Sequence, residues 1–321
     1  MTFGNVLIIR PGALGDAILT LPLLHALRFA GSKRMTVLGT PASWGFIKTG
    51  LENFEIRDFS SSEWLGLFTA ENTLGSQKRA WLSQFSAAVV YLAGDTASIE
   101  RALRDAGIPD VICADPPRAS MPQTGNRSGH TNCHAARCLF EPVSSWVTEQ
   151  CWQQALRLNH QSVDELLRLE PPETPPGNED FIAIHPGSGG RFKCWPVDRF
   201  ASLATELSGR RSMRVKIFFG PADDAMKAEF ASILSPSNVE FIDNLPLRDV
   251  FRLLSRAKCY VGNDSGMSHL AARACPALVL FGPTDPAIWS PLGRQVRILR
   301  APGGRMEDLS VANVLENIVF P

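Results

Sequence analysis

Short apolar runs alternate with amphipathic stretches along this chain, and the alternation predicts its architecture. Val6-Leu7-Ile8-Ile9 is a continuous aliphatic run, as expected of a central parallel strand covered on both faces. It passes through the turn Arg10-Pro11-Gly12-Ala13-Leu14-Gly15-Asp16 into residues 17–30, which carry helical periodicity. Further strands are predicted at 35–39, 87–92 and about 111–112, with helices over 42–49 and 96–106. Residues 55–78, with Phe59, Trp64 and Phe68, show no clear period. After helical 144–158 comes Leu169-Glu170-Pro171-Pro172-Glu173-Thr174-Pro175-Pro176, whose prolines can continue neither helix nor strand. The rhythm then restarts, with strands at 181–184, 215–219, 239–242, 259–262 and 277–281 and helices at 197–208, 247–257, from 266 and over 307–318.

This is an α/β pattern written twice. A length of 321 residues is long for one core and suits two domains of about 150 each. The expected division is a Rossmann-like lobe over 1–170, a linker at 170–180 and a second Rossmann-like lobe over 181–321.

Composition narrows the partners. Lys+Arg and Asp+Glu are both 32, so the formal charge is zero and nothing global favours nucleic acid or an anionic membrane. Any anion site must be local. No apolar run approaches the length of a membrane span, which leaves at most peripheral membrane contact. The start lacks a basic n-region and a small-residue cleavage site, so the expected location is the cytoplasm. Seven scattered cysteines in such a chain read as reduced thiols.

Three turns carry candidate chemistry. In the first, Cys259-Tyr260-Val261-Gly262 reads as a buried strand running into Asn263-Asp264-Ser265-Gly266 and a small-residue helix. The unpaired N–H groups and dipole of a helix start favour an anion there. Gly266 permits close approach, Ser265 and His269 offer donors, and Asp264 offers an acceptor for sugar hydroxyls. The plain alternative is an ordinary capped helix with His269 packed beneath it. In the second, His185-Pro186-Gly187-Ser188-Gly189-Gly190 continues into Arg191-Phe192-Lys193, where Ser188, Arg191 and Lys193 suit a diphosphate. In the third, Asp16 reads either as a base placed to take a proton from a hydroxyl or as an acidic residue favouring the helix dipole. Arg10, Gly15 and Arg137 are placed with Asp16 on the acceptor side. Leu245 and Leu247 would line a pocket for a nucleotide base. Residues 114–130 read as a loop able to fold over an acceptor. The nearby His130, Cys133, His134 and Cys138 lack paired metal-ligand spacing, so no metal is expected.

Three segments, RPGALGDAILTLPLLHAL, IHPGSGGRFKCWPVDRFASLATEL and VGNDSGMSHLAARACPALVLFGPTDPAIWSPLG, resemble glycosyltransferase family 9, the ADP-heptose:lipopolysaccharide heptosyltransferases and their relatives. The resemblance implies the GT-B fold, with two Rossmann-like lobes facing a cleft, and inverting, metal-independent transfer of a sugar, heptose from ADP-heptose, to a lipopolysaccharide-type glycan acceptor. No cofactor is implied beyond the donor itself. By the same resemblance Asp16 is the catalytic carboxylate, Lys193 and Ser188 hold donor phosphates, Asp264 holds the donor sugar, and Ser265, Gly266 and His269 sit at the diphosphate. A monomer acting in the cytoplasm, at the inner face of the membrane, is the expected state. Nothing over 55–130 matches the family's inner-core members. The competing readings are a sugar-nucleotide-binding protein without transfer and a two-lobed nucleotide-sugar epimerase.

Overall fold

The computed structural model describes residues 4–45, 54–69, 74–117, 133–161, 181–209, 213–234 and 239–318. The linker at 170–180, His130 and most of the 114–130 loop lie outside the described residues. The chain divides into two compact units, one made of Met1–Arg118 with Ala135–Arg168 and the other of Ala119–His134 with Leu169–Pro321. Among the described residues no helix is long and apolar enough to cross a membrane.

Unit 1 contains strands β1 (Asn5–Ile9), β2 (Arg34–Gly39), β3 (Phe54–Asp58), β4 (Ala87–Tyr91) and β5 (Asp110–Ala114). Its helices are α1 (Leu14–Phe29), α2 (Pro41–Trp44), α3 (Ser76–Leu82), α4 (Ala97–Asp105), α5 (Ala135–Phe140) and α6 (Glu149–Gln161). The strands form one parallel sheet in the order β3-β2-β1-β4-β5. Alternate residues of a strand face opposite sides. Accordingly Leu7 and Ile9 of β1 join Ala88 and Val90 of β4 in a core that Trp64, Leu82, Ile99 and Leu103 close from one side. Helix α1 packs against α5 and α6, and is buried without a break from Ala17 to Leu27. Each of Leu19, Leu23, Leu24 and Leu27 so buried contributes roughly 1.5–3 kcal/mol.

The aperiodic 55–78 stretch resolves into β3, a 3-10 helix over Ser62–Leu67 and the start of α3. Trp64 is a core residue whose indole donates to the Asp58 carbonyl (3.0 Å), whereas Leu65 and Phe68 are exposed. Helix α2 is a single turn, and the remainder of the predicted 42–49 helix lies mostly outside the described residues. The expectation of reduced thiols throughout is corrected: Cys133 and Cys138 are disulfide-bonded. An odd count of scattered cysteines concealed a pair close together in the chain. Cys113, Cys151, Cys194, Cys259 and Cys275 are not in disulfides.

Unit 2 contains β6 (Phe181–His185), β7 (Arg214–Phe219), β8 (Val239–Asp243), β9 (Cys259–Asn263), β10 (Ala277–Phe281) and β11 (Val296–Arg300). Helices α7 (Val197–Gly209), α8 (Asp224–Ile233), α9 (Leu247–Leu254), α10 (Gly266–Ala274), α11 (Pro286–Trp289) and α12 (Val311–Asn317) surround them. The sheet is again parallel, in the order β11-β10-β9-β6-β7-β8. In both units the first strand in the chain lies between neighbours reached in opposite directions, β2 and β4 in one case, β7 and β9 in the other. The carboxyl ends of strands beside such a reversal form the crevice where open α/β sheets take ligands.

In unit 2 one side chain joins the two turns that flank this crevice. Asn263, fully buried at the end of β9, accepts from the Trp195 backbone N–H (3.0 Å) and donates to the Pro186 carbonyl (2.7 Å). Only one orientation of its amide serves both partners. Trp195 is buried in the core, stacked edge-to-face on Phe200, and its indole donates to the Leu309 carbonyl (2.9 Å). Asn263→Ala leaves a buried donor and a buried acceptor without partners, so a loss of about 2–3 kcal/mol is expected. Urea unfolding should show a lower midpoint with the slope unchanged.

Candidate functional site

The crevice of unit 2 is built from the turn after β6, the turn after β9 and the loop after β10. The Asp264 N–H bonds the Leu280 carbonyl (3.0 Å), which brings the second and third of these together. Three hydroxyl and ammonium groups converge on Asp264, whose side chain is only 7% exposed. Lys193 Nζ lies 2.9 Å from Oδ2, Thr284 Oγ1 donates to the same oxygen (2.8 Å), and Ser188 Oγ donates to the Asp264 main-chain carbonyl (2.7 Å). The structure thus unites Ser188, Lys193 and Asp264. Lys193, at the end of a 3-10 turn (Arg191–Lys193), is half-buried, while Arg191 and Phe192 beside it are exposed.

Ser265 is the N-cap of α10, with its hydroxyl facing the Ser268 N–H (3.4 Å). The N–H groups of Ser268 and His269 turn back to the Ser265 carbonyl (3.1 and 3.3 Å). Those of Gly266 and Met267 remain as the donors of the helix end. An ordinary cap and an anion site therefore coexist here. His269 is buried, and burial lowers its pKa to about 4 despite the opposing charge of Asp264. Its Nδ1 is buried without a partner among the described residues. At neutral pH the ring is uncharged, able to offer one N–H and no positive charge.

Two further groups line the edge. His185 is buried, which lowers its pKa, and its Nδ1 lies 2.9 Å from the Phe218 carbonyl. A carbonyl only accepts, so the proton sits on Nδ1. The Asp223 carboxylate caps the Gly220 N–H (2.7 Å) and stands against Gly187, where a Cβ would come within 2.5 Å of its Oδ1. Sequence reasoning passed over Asp223. The signal available was an Asp pair after a strand ending in glycine. Leu245 is exposed and Leu247 half-buried, and Asn244 before them has a positive φ of 49°.

In unit 1, Asp16 occupies the third position of α1 at the carboxyl end of β1. Its Oδ2 accepts from the Ala13 N–H (2.9 Å) and its Oδ1 from Arg10 Nη2 (2.6 Å). Asp16 is 31% exposed, whereas the Arg10 side chain is 5% exposed. Arg10 is thus a buried cation beneath the carboxylate. Burial pulls its pKa below the usual value, and Asp16 opposes that fall. Gly12 holds φ 144°, and a Cβ there would meet Asp16 Oδ2 at 2.6 Å, so only glycine fits this approach. Gly15 sits half-buried in the same first turn. Arg137 is held by Glu141 and Glu149 (2.6 Å each) over the Phe140 ring. His134, which belongs to unit 2 as Ser290 does, has its Nε2 2.8 Å from the Ser290 carbonyl, and burial lowers its pKa. No group of three or more His, Cys, Asp or Glu able to hold a metal occurs among the described residues.

The profile of glycosyltransferase family 9 (heptosyltransferase) matches residues 139–319, more than half of the chain. The chain belongs to glycosyltransferase family 9. Among relatives, lipopolysaccharide heptosyltransferase 1 of Escherichia coli O18:K1:H7 is 30% identical over 128 residues, 40% of this chain and 38% of its own. The aligned region therefore spans about two fifths of that relative. In fold the likeness runs nearly end to end. The structure of E. coli heptosyltransferase WaaC with ADP gives a TM-score of 0.65 at 19% identity, covering 97% of this chain and 98% of its own. That of E. coli ADP-heptose lps heptosyltransferase II gives 0.68 at 19% identity, with 97% and 96% covered. These likenesses are of the GT-B fold, two parallel-sheet α/β lobes. Every residue named for the donor side lies within the part of the chain that the family 9 profile covers, and Asp16 lies outside it.

Acid should weaken unit 2 of this family 9 chain in a defined window. Between pH 6.5 and about 4 the unfolded chain protonates His269 while the folded chain does not, so stability falls as pH falls through that window. The slope contributed by one such group approaches about 1.4 kcal/mol per pH unit. His269→Gln should flatten the dependence of the urea midpoint on pH over this range, relative to wild type.

Proposed function

We propose that this protein transfers heptose from ADP-heptose to a hydroxyl of a lipopolysaccharide-type glycan acceptor, with inversion and without a metal ion. The observation that carries the reading is the convergence of Lys193, Ser188 and the α10 helix end on Asp264, at the strand reversal of a family 9 lobe. A diphosphate suits this place: Lys193 supplies a point charge, and the Gly266 and Met267 N–H groups supply oriented dipoles. The Asp264 carboxylate accepts from sugar hydroxyls. Leu245 and Leu247 take the base. The structure of WaaC with ADP, a protein of the same fold, agrees with a nucleoside diphosphate donor.

Asp16 acts as the general base. Its carboxylate is partly open to solvent and held at both oxygens, so it presents a fixed lone pair to an incoming hydroxyl. Arg10, buried beneath it, fixes the orientation of the carboxylate rather than binding the acceptor itself. An inverting displacement needs only this base on the side of attack and charge stabilisation of the departing diphosphate, which Lys193 provides without metal.

Release of ADP from ADP-heptose in the presence of a lipopolysaccharide acceptor tests the reading. Asp16→Ala should lower kcat by at least about 100-fold with donor affinity within about twofold of wild type. Lys193→Ala should weaken donor binding and kcat together. Wild-type turnover in Asp16→Ala would remove the base assignment. Conversion of a nucleotide sugar with no acceptor present, seen by NMR, would favour an epimerase instead.

A further inference from the structure

Thr284 is a buried residue in Gly282-Pro283-Thr284-Asp285-Pro286, the loop that links β10 to α11. Two prolines restrict this loop. Its far end is fixed by Asp285, which caps α11 by accepting from the Ala287 N–H (2.9 Å). Its near end is fixed by the ladder, where the Ala301 N–H bonds the Phe281 carbonyl (2.7 Å) and the Asp264 N–H bonds the Leu280 carbonyl (3.0 Å). Thr284 is thereby set beside Asp264, and its hydroxyl donates to Oδ2 at 2.8 Å. Lys193 Nζ takes the same oxygen at 2.9 Å.

A carboxylate has two oxygens, and these two bonds load only one of them. Two donors arriving at Oδ2 from different loops, one after β6 and one after β10, fix the rotation of the carboxyl group about its own axis. With Lys193 alone, the carboxyl plane could tilt about a single contact. The threonine removes that freedom, so the oxygen not bonded to these donors, Oδ1, keeps one direction toward a ligand. It also lets the Lys193 ammonium direct its remaining N–H donors elsewhere, because Oδ2 keeps a partner whether or not the lysine shifts toward a phosphate.

We propose that Thr284 is a positioning residue for the donor sugar: through Oδ2 it fixes the Asp264 carboxylate so that Oδ1 receives the sugar hydroxyls. The proposal rests on the donor reading given above. It separates the sugar from the nucleotide, since the Thr284 contact acts on Asp264 and leaves the α10 helix end, Leu245 and Leu247 untouched.

The test compares ADP with ADP-heptose by isothermal titration on the whole protein. Thr284→Val keeps the shape and removes the hydroxyl. It should weaken ADP-heptose binding about tenfold, as expected for loss of a hydrogen bond to a charged group, while ADP binding changes less than about twofold. Thr284→Ser should restore ADP-heptose binding to within about threefold of wild type. In an Asp264→Asn background the Thr284→Val effect on ADP-heptose should shrink below about twofold, which a merely structural threonine would not produce. Equal losses for ADP and ADP-heptose, or no rescue by serine, would overturn the Thr284 role and leave the donor reading standing. Wild-type protein that binds no ADP-heptose would overturn the donor reading and this proposal together. Circular dichroism checks that the valine variant is folded; if it is not, Thr284→Ala is read by the same criteria.

Discussion

Unit 2 depends on the side chain of Asn263. A parallel sheet delivers its turns to one edge, but it does not by itself hold two neighbouring turns in register with each other. The long turn after β6 must leave the strand at His185, present the half-buried Ser188 and Lys193, and return at Trp195 to enter α7. Asn263 holds both limbs of that excursion, one through a main-chain N–H and the other through a carbonyl. Because the amide is fully buried, water does not compete for these bonds. The ion pair of Lys193 with Asp264, the next residue along, inherits its geometry from this tie.

The two lobes solve the placement of a carboxylate differently. Asp16 is steadied by its own helix start and by a guanidinium from the strand just before it, all within one short segment. Asp264 is steadied by groups from two other loops, far away in the chain. The first arrangement suits a group that must stay charged and partly open to solvent. The second suits a group that must hold one orientation in a buried setting, where an unpaired charge would be costly.

Much of this could be read from the chain alone, and the reasons for success and failure are physical. Strands β1, β4, β6 and β10 are central, covered on both faces, and so appear as unbroken apolar runs. Strands β3 and β11 lie at sheet edges. Phe54-Glu55-Ile56-Arg57-Asp58 and Val296-Arg297-Ile298-Leu299-Arg300 mix charges into the strand because an edge is partly wet, and the run is broken. The turn motifs pointed to Ser188, Lys193, Asp264 and Ser265 individually. Pattern could not show that Thr284 shares an oxygen with Lys193, nor that Asp223 presses on Gly187, since such meetings are set by the stacking of separate crossovers. Arg10 was placed on the acceptor side by its neighbourhood in sequence, and its burial beneath Asp16 emerges only when β1 and β4 are packed together.

A hydroxyl carries a single proton, and Ser188 commits its own to the carbonyl of Asp264. Toward an anion that oxygen is then a lone pair facing negative charge, a repulsive partner. A diphosphate arriving here must either turn the serine rotor away from the carbonyl or draw its contacts from main-chain amides instead. Donation from Ser188 to any anion therefore costs its bond to the Asp264 carbonyl, whereas main-chain amides carry no such prior commitment.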